Sequence, residues 1–343
     1  MRDEMTVLEI IEKTTARRNA RRAFMRASAG AVVAAGGLSM LAACNNEDDD
    51  DNSTVGGVPA PTPTPSASAI QDTNVLNLAL NLEYLEAQFY SWAVFGRGLD
   101  AGLLTGLGTQ GAVADIGAAG GPRQVTFTDP VIAEYAREIA YDEIAHVAFL
   151  RTALGSSAQA QPALNISGNA TGAFTAAARA AGVVPSTGTF DPYASENNFL
   201  LGAYIFEDVG VTAYKGAAPL ITNKVFLEAA AGILAAEAYH AGLVRTILYA
   251  RGVTVSMLRT AAGQISDARD SLDGPTDLDQ GITGTATASN LVPTDANGLA
   301  FSRSAEQVHN IVYLNNRQVT SGGFFPAGTN NADPALRRSG NFA

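Results

Sequence analysis

The sequence predicts an all-α protein: a four-helix bundle with a long crossover connection and a C-terminal extension that is part helical and part irregular. Apolar residues recur at helical spacing in four long segments, whereas alternating strand patterns are few. A short link near Pro219 joins the last two segments, and long glycine-rich links separate the others. Two helix pairs with a long crossover between them form a known bundle topology.

Capping residues mark most of the predicted helix ends. Asp129 and Pro130 are typical of a helix start, because Asp can cap free amide groups and Pro is tolerated at the first position. Thr222 is the expected cap of the last bundle helix. The predicted helices cover about 74–95, 129–154, 195–216 and 223–251 in the bundle, and about 171–181, 256–271 and 305–314 outside it.

The first bundle helix is predicted to have a polar side and an apolar side. The apolar side carries two carboxylates, Glu83 and Glu86, which we therefore expect near the core. Position on the helical wheel favours Glu86 as the functional carboxylate, whereas the internal repeat favours Glu83. The polar side consists of Asn77, Asn81, Gln88 and Ser91.

Residues 1–43 are typical of an export signal. Arg21 and Arg22 begin a twin-arginine pattern, and the apolar stretch that follows is short for a spanning helix. The only cysteine, Cys44, ends this stretch in a lipobox-like setting. We therefore expect export by the twin-arginine route and a lipid anchor at Cys44 on the periplasmic side of the envelope. Asn45 favours the outer membrane, since it replaces the aspartate associated with inner-membrane retention.

Composition divides the rest of the chain. Residues 44–70 form an acidic and then Pro/Thr/Ser-rich tether, 71–253 hold the bundle, and 254–343 form an extension that packs on it. The formal net charge of −11 argues against a nucleic-acid partner, because such proteins need basic surface to neutralise phosphates. A single cysteine excludes an intrachain disulfide and a cysteine-based zinc finger.

The two helix pairs repeat one pattern of chemically active residues. The first helix of each pair has a Glu followed seven residues later by a Tyr, and the second helix has Glu-x-x-His. An unrelated helix pair would rarely repeat this spacing. In chain order the eight residues are Glu83, Tyr90, Glu143, His146, Glu207, Tyr214, Glu237 and His240.

This spacing predicts a dinuclear metal site. Residues three apart share a helix face, so each Glu-x-x-His presents a carboxylate beside an imidazole. One Glu from each of the other two helices completes a set of four carboxylates and two imidazoles. Such oxygen and nitrogen donors suit iron or manganese. Four carboxylates also balance the charge of two divalent ions, and they would be costly to bury together without them.

The pattern resembles the ferritin-like superfamily. With Glu83 to Tyr90 early and Gly322 to Pro326 near the end, residues 70–330 resemble the exported ferritin-like, desiccation-related protein family. The resemblance implies that Glu143 and Glu207 are candidates to bridge the ions. The metal ligands that it implies are Glu83, Glu143, His146, Glu207, Glu237 and His240. Alternative ligands or outer partners are Glu86, Tyr90 and Tyr214.

Two functions follow from this resemblance as alternatives. In the first, two iron or manganese ions serve the oxidation of ferrous iron or reactions with oxygen or peroxide, so the substrate is small and inorganic. In the second, the scaffold is a non-catalytic, structural or stress-protective envelope protein. The expected partners are the membrane, through Cys44, and further copies of the chain. His309 has no paired acid in the repeat, and we expect a structural or surface role for it.

Overall fold

The computed structural model describes residues 65–343, which form α-helices joined by irregular links and short 3-10 turns, with no strand among them. The all-α prediction is confirmed. The export signal, Cys44 and the tether up to residue 64 lie outside the described residues. None of the helices in residues 65–343 has both the length and the apolar character needed to cross a membrane. The α-helices are α1 Ala67–Phe95, α2 Pro130–Leu154, α3 Ala173–Ala180, α4 Glu196–Ala217, α5 Lys224–Arg251, α6 Met257–Asp273 and α7 Ala305–Val312.

Two helix starts differ from the prediction. α1 begins at Ala67, earlier than expected, because the Ser66 hydroxyl accepts a hydrogen bond from the Ala69 amide at 3.2 Å and caps the helix. The cap of α5 is Asn223, so the prediction of Thr222 was wrong. Thr222 is held by Asp72 instead, which accepts from its amide at 2.7 Å and from its hydroxyl at 2.9 Å. Asp72 therefore ties the start of α1 to the link between α4 and α5.

α1 lies in the middle of the protein, and its polar side is buried. Asn77 donates to the Ser157 carbonyl at 3.0 Å and accepts from the Gln159 amide at 2.9 Å. Asn81 donates to the backbone carbonyl of Asn330 at 2.7 Å. The polar residues thus bind the backbone of the links and the C-terminal tail, which a wheel drawn for a solvent-facing helix does not anticipate.

The bundle consists of two closely packed helix pairs. α1 packs along α2, and α4 packs along α5. An aromatic cluster around Phe89 joins the pairs: its ring centroid lies 5.2 Å from that of Phe174 and 5.6 Å from those of Phe199 and Phe206. Aromatic pairs at this separation stabilise a core beyond their area burial. The carboxylates and imidazoles of the repeat lie inside this frame.

A buried network of three arginines and three aspartates fixes the C-terminal extension to the bundle. Arg303 on the extension donates to Asp273 at 2.6 Å and to the Thr212 hydroxyl at 2.9 Å, and it also pairs with Asp279. Each arginine is paired with at least one aspartate, as buried charges require. The members are Asp208, Arg245, Arg269, Asp273, Asp279 and Arg303.

His309 occupies a fully buried position on α7. Its Nδ1 donates to the Ala305 carbonyl at 2.7 Å, and its Nε2 accepts from the Thr329 hydroxyl at 3.1 Å. Burial lowers the pKa of His309 to about 4, so the imidazole stays neutral. These contacts favour the structural alternative for this histidine.

Arg303→Met should lower the free energy of unfolding by about 3–5 kcal/mol, because Asp273 then remains buried without its cation. Urea denaturation of the two chains measures this difference. The matched control is Arg338→Met, since Arg338 and its partner Glu306 are both exposed and such pairs contribute about 1 kcal/mol or less. Equal losses in the two variants would contradict a stabilising role for the buried network.

Candidate metal centre

Six side chains from the four bundle helices meet in the centre of the bundle. α1 and α4 each supply one glutamate, whereas α2 and α5 each supply a glutamate and a histidine one turn apart. All six side chains are buried. They are Glu83, Glu143, His146, Glu207, Glu237 and His240, the set that the sequence predicts.

The six residues form two overlapping groups, and within each group the candidate ligand atoms lie within 4.8 Å of one another. Glu143 and Glu237 belong to both groups. Glu207 belongs to the second group alone, and the expectation that Glu143 and Glu207 bridge the ions stays a prediction. The first group is Glu83, Glu143, His146 and Glu237, and the second is Glu143, Glu207, Glu237 and His240.

In both histidines the Nδ1 atom faces the carboxylates. His146 Nδ1 lies 3.2 Å from Glu83 Oε2, 3.5 Å from Glu143 Oε2 and 3.8 Å from Glu237 Oε1. His240 Nδ1 lies 3.0 Å from Glu143 Oε1 and 3.6 Å from Glu207 Oε2. Glu143 therefore lies between the two imidazoles and faces one of them with each oxygen.

The two tyrosines of the repeat hold the unshared glutamates, each across the bundle. The Tyr90 hydroxyl on α1 donates to Glu207 on α4, and the Tyr214 hydroxyl on α4 donates to Glu83 on α1. Tyr90 and Tyr214 are thus outer partners of the cluster, one of the two alternatives left open by the sequence. Because each tyrosine reaches the opposite helix pair, the two halves of the site orient each other.

Several buried polar atoms of the cluster have no hydrogen-bond partner in the described part of the chain. They are both carboxylate oxygens of Glu143 and of Glu237, Glu207 Oε2 and His240 Nδ1. Unpaired buried acceptors of this kind are costly, and a cation between them would satisfy them. The donor set, with carboxylate oxygens and imidazole nitrogens around two overlapping positions, fits a pair of iron or manganese ions.

Three of the four acids of the cluster resist ionisation. Burial raises the pKa of Glu83 to about 7 and that of Glu207 to about 8, although a histidine beside each acid opposes the shift. Burial and then the repulsion of Glu86 hold the pKa of Glu237 well above its usual range. Desolvation without a cation therefore favours the neutral form of these acids.

The pKa values of the two imidazoles are raised, which favours their charged form. Burial disfavours their charge, yet Glu83 and Glu143 raise the pKa of His146 to about 11. Asp142 and Glu143 raise the pKa of His240 to about 10. Although burial acts to raise the pKa of Glu143, the two histidines hold it well below its usual range. Ions that bind here must therefore displace protons from both histidines.

Comparisons with known proteins agree with this geometry. The family model described as a ferritin-like domain matches residues 71–250. The chain belongs to the ferritin-like family. It is 32% identical over 252 residues to the desiccation-related protein PCC13-62 of Craterostigma plantagineum, which covers 69% of this chain and 75% of the relative. It is 27% identical over 275 residues to the ferritin-like catalase Nec2 of Nesocodon mauritianus, which covers 76% of this chain and 83% of the relative. No solved structure matches the chain significantly.

Glu86, the alternative to Glu83, lies outside both groups of this ferritin-like site. It is buried, and burial followed by the repulsion of Glu143 raises its pKa well above the usual range. Glu86 lines a cavity of about 10 Å³ together with residues that are otherwise apolar. A cavity of this size is at the lower limit for a single water molecule. Glu86 is therefore a buried acid beside the cluster, and its surroundings favour the neutral form.

Two residues near the site were missed by sequence reasoning. Gly210 matches Glu86 in the repeat, and a Cβ atom there would lie 2.3 Å from Glu237 Oε2. Only a glycine leaves room for this carboxylate. The sequence carried a signal for the role of Gly210, because the repeat aligns Glu86 with a glycine there. Asp142 precedes Glu143, and its Oδ2 lies 3.3 Å from His240 Nε2. No signal in the sequence distinguished it from an exposed helix acid.

An arginine five residues after each histidine of the repeat binds the residue that follows each unshared glutamate. Arg151 donates to the hydroxyl of Tyr84, and Arg245 donates to Asp208 at 2.7 Å. Arg245 is fully buried, whereas Arg151 is partly exposed. The two halves thus share one scaffold with different degrees of burial.

Gly210→Ala should weaken metal binding by more than about 10-fold, because the new methyl group displaces the Glu237 carboxylate, which serves both groups. Metal content after reconstitution and a calorimetric titration measure the effect. The control is Gly242→Ala on α5, where a Cβ atom meets nothing within 4 Å. That variant should bind metal normally and gain up to about 1 kcal/mol from its better helix propensity. Identical metal binding in the two variants would contradict the placement of Glu237.

Metal binding should release protons and should strengthen as the pH rises through about 7 to 8 and on toward about 10, because Glu83, Glu207 and then the two histidines must lose protons to become ligands. Titration calorimetry in two buffers with different ionisation enthalpies measures the number of protons released. A binding heat that does not depend on the buffer would contradict the protonated state of the histidines.

Proposed function

We propose that this ferritin-like protein holds a dinuclear iron or manganese centre and decomposes hydrogen peroxide there. The observation that carries the proposal is the pair of overlapping groups of buried carboxylates and imidazoles whose atoms lack other partners. The relative named as a ferritin-like catalase supports peroxide over the other small inorganic substrates.

In this proposal each ion has one histidine and one unshared glutamate of its own. His146 with Glu83 holds the first, and His240 with Glu207 holds the second. The carboxylates shared by both groups belong to Glu143 and Glu237. Four carboxylates neutralise two divalent ions, so the filled site carries no net charge in an apolar core.

Such a pair of redox ions, when bound, can take two electrons from one peroxide and return them to another, which converts two peroxides into one dioxygen and two waters. The chain's own contribution is to position the ligands and to manage protons. Tyr90 and Tyr214 keep one oxygen of Glu207 and of Glu83 fixed. The carboxyl group of Glu86, whose pKa is raised by burial, lies beside the cluster, where it can donate a proton to the peroxide oxygen that leaves as water.

The surroundings limit the substrate to small molecules. Five of the six proposed ligands are at most 3% exposed, and the side chain of His146 is 11% exposed. The cavity beside Glu86 has room for about one water. A bulky organic substrate therefore has no place at the centre, whereas peroxide is close in size to water.

The purified chain, reconstituted with manganese or ferrous ions, should bind about two ions and evolve oxygen from hydrogen peroxide. Glu143→Gln should lower this rate by more than about 100-fold. The loss of an outer partner of a metal ligand lowers activity by about 10–100-fold, and the loss of a ligand shared by both ions should lower it further. The control is Glu134→Gln, an exposed position on the same helix. A rate in Glu143→Gln equal to that of the unchanged chain would overturn the proposal.

A second candidate is a protective, non-catalytic role, which the relative named as a desiccation-related protein supports. The same experiment separates the two functions. A chain that binds two ions and evolves no oxygen would favour the protective role, with the ions as structural parts. A chain that binds no ion would remove the metal centre from both candidates.

A further inference from the structure

The two histidines of the centre have different surroundings on their outer side. His240 Nε2 lies 3.3 Å from Asp142 Oδ2, and the side chain of His240 is 4% exposed. His146 Nε2 has no hydrogen-bond partner among residues 65–343, and its side chain is 11% exposed. Only one of the two imidazoles therefore has a carboxylate behind it.

The internal repeat shows why this difference arises. Glu143 matches Glu237, so the position that matches Asp142 on α2 is Ala236 on α5. In a symmetric site, a carboxylate at 236 would hold His146 as Asp142 holds His240. The methyl group of Ala236 has neither an acceptor nor a charge. The asymmetry therefore follows from a single difference between the two halves of the repeat, Asp142 on α2 against Ala236 on α5.

A carboxylate behind a metal-binding imidazole has two known effects. It fixes the tautomer and the orientation of the ring, and it raises the basicity of the nitrogen that faces the ion. His240 is set up in this way, because Nε2–H donates to Asp142 while Nδ1 faces Glu143 and Glu207 without a hydrogen bond. His146 must hold its ring in place without such a partner.

We propose that the two metal positions are inequivalent: the position at His240 binds its ion tightly, and the position at His146 binds weakly and exchanges its ion with the solution. This inference rests on the dinuclear centre of the proposed function. The half-exposed Asp142 acts here as a positioning residue, since it touches His240 and neither the cluster's other ligands nor a substrate.

The test is a calorimetric titration of the full chain with Mn²⁺ at fixed pH. The unchanged chain should bind in two steps whose dissociation constants differ by at least about 10-fold. His146→Ala should keep the tight step and lose the weak one, and His240→Ala should do the reverse. Two equal steps, or a tight step lost in His146→Ala, would overturn the inference.

Asp142→Ala should weaken the tight step by about 10–100-fold and leave the weak step unchanged. Asp142→Asn should lose less, because its amide oxygen can still accept from His240 Nε2–H. The control is Glu134→Ala, which removes an exposed acid from the same helix. An unchanged tight step in Asp142→Ala, or a loss of both steps in a variant that circular dichroism shows to be folded, would overturn the inference.

These outcomes are distinct from a failure of the proposed function. If the unchanged chain binds no Mn²⁺, the dinuclear centre itself is wrong. If it binds two ions but the histidine variants show the reverse order, the centre stands and the inequivalence is wrong. If Asp142→Ala does not fold, the pair of histidine variants still decides which position is tight.

Discussion

The cost of burying four carboxylates together is the constraint on which the rest of this structure depends. In an apolar core each carboxylate must be protonated, paired or bound to a cation. The bundle meets this requirement by placing two imidazoles against Glu143 and a tyrosine hydroxyl against each unshared glutamate. Several oxygens are nevertheless left without partners, and these atoms define where cations fit. The stability of the core and the proposed chemistry of the centre therefore depend on the same residues, because the groups that are costly to bury are the groups proposed to bind metal.

The internal repeat explains how so many polar groups can share one core. Each helix pair supplies the same set, and the hydroxyls of Tyr90 and Tyr214 reach across to the opposite pair. A packing defect in one half therefore affects the orientation of a candidate ligand in the other half. The repeat is imperfect where the surroundings differ: Glu86 matches Gly210, and Asp142 matches Ala236. The first mismatch makes room for the Glu237 carboxylate, and the second gives only one histidine an outer carboxylate.

Sequence alone predicted the bundle and the six converging residues, because both depend on local spacing. Glu-x-x-His places its two side chains on one face of any helix, whatever surrounds that helix. The burial of the polar side of α1 could not be predicted in this way, because Asn77 and Asn81 are covered by links and a tail that are distant in sequence. The same limit applies to Glu83 and Glu86. Both face inward, and only the assembled bundle, in which Glu83 meets side chains of α2 and α5, brings Glu83 rather than Glu86 into the cluster. Long-range packing also places Glu143 and Glu237 in both groups, whereas Glu207 joins the second group alone.

The C-terminal extension adds to the difference between the two halves. Asp208 follows the ligand candidate Glu207, and its carboxylate accepts from Arg245 at 2.7 Å and from Arg269 at 2.9 Å. The matching residue in the other half, Tyr84, is held by the partly exposed Arg151. A residue fixed by two buried guanidinium groups leaves the neighbouring helical turn little freedom, and a preorganised ligand loses less entropy when it binds. The extension thus stiffens the half of the bundle in which Asp142 already orients His240. Two independent features, one on α2 and one beyond α5, act on the same metal position.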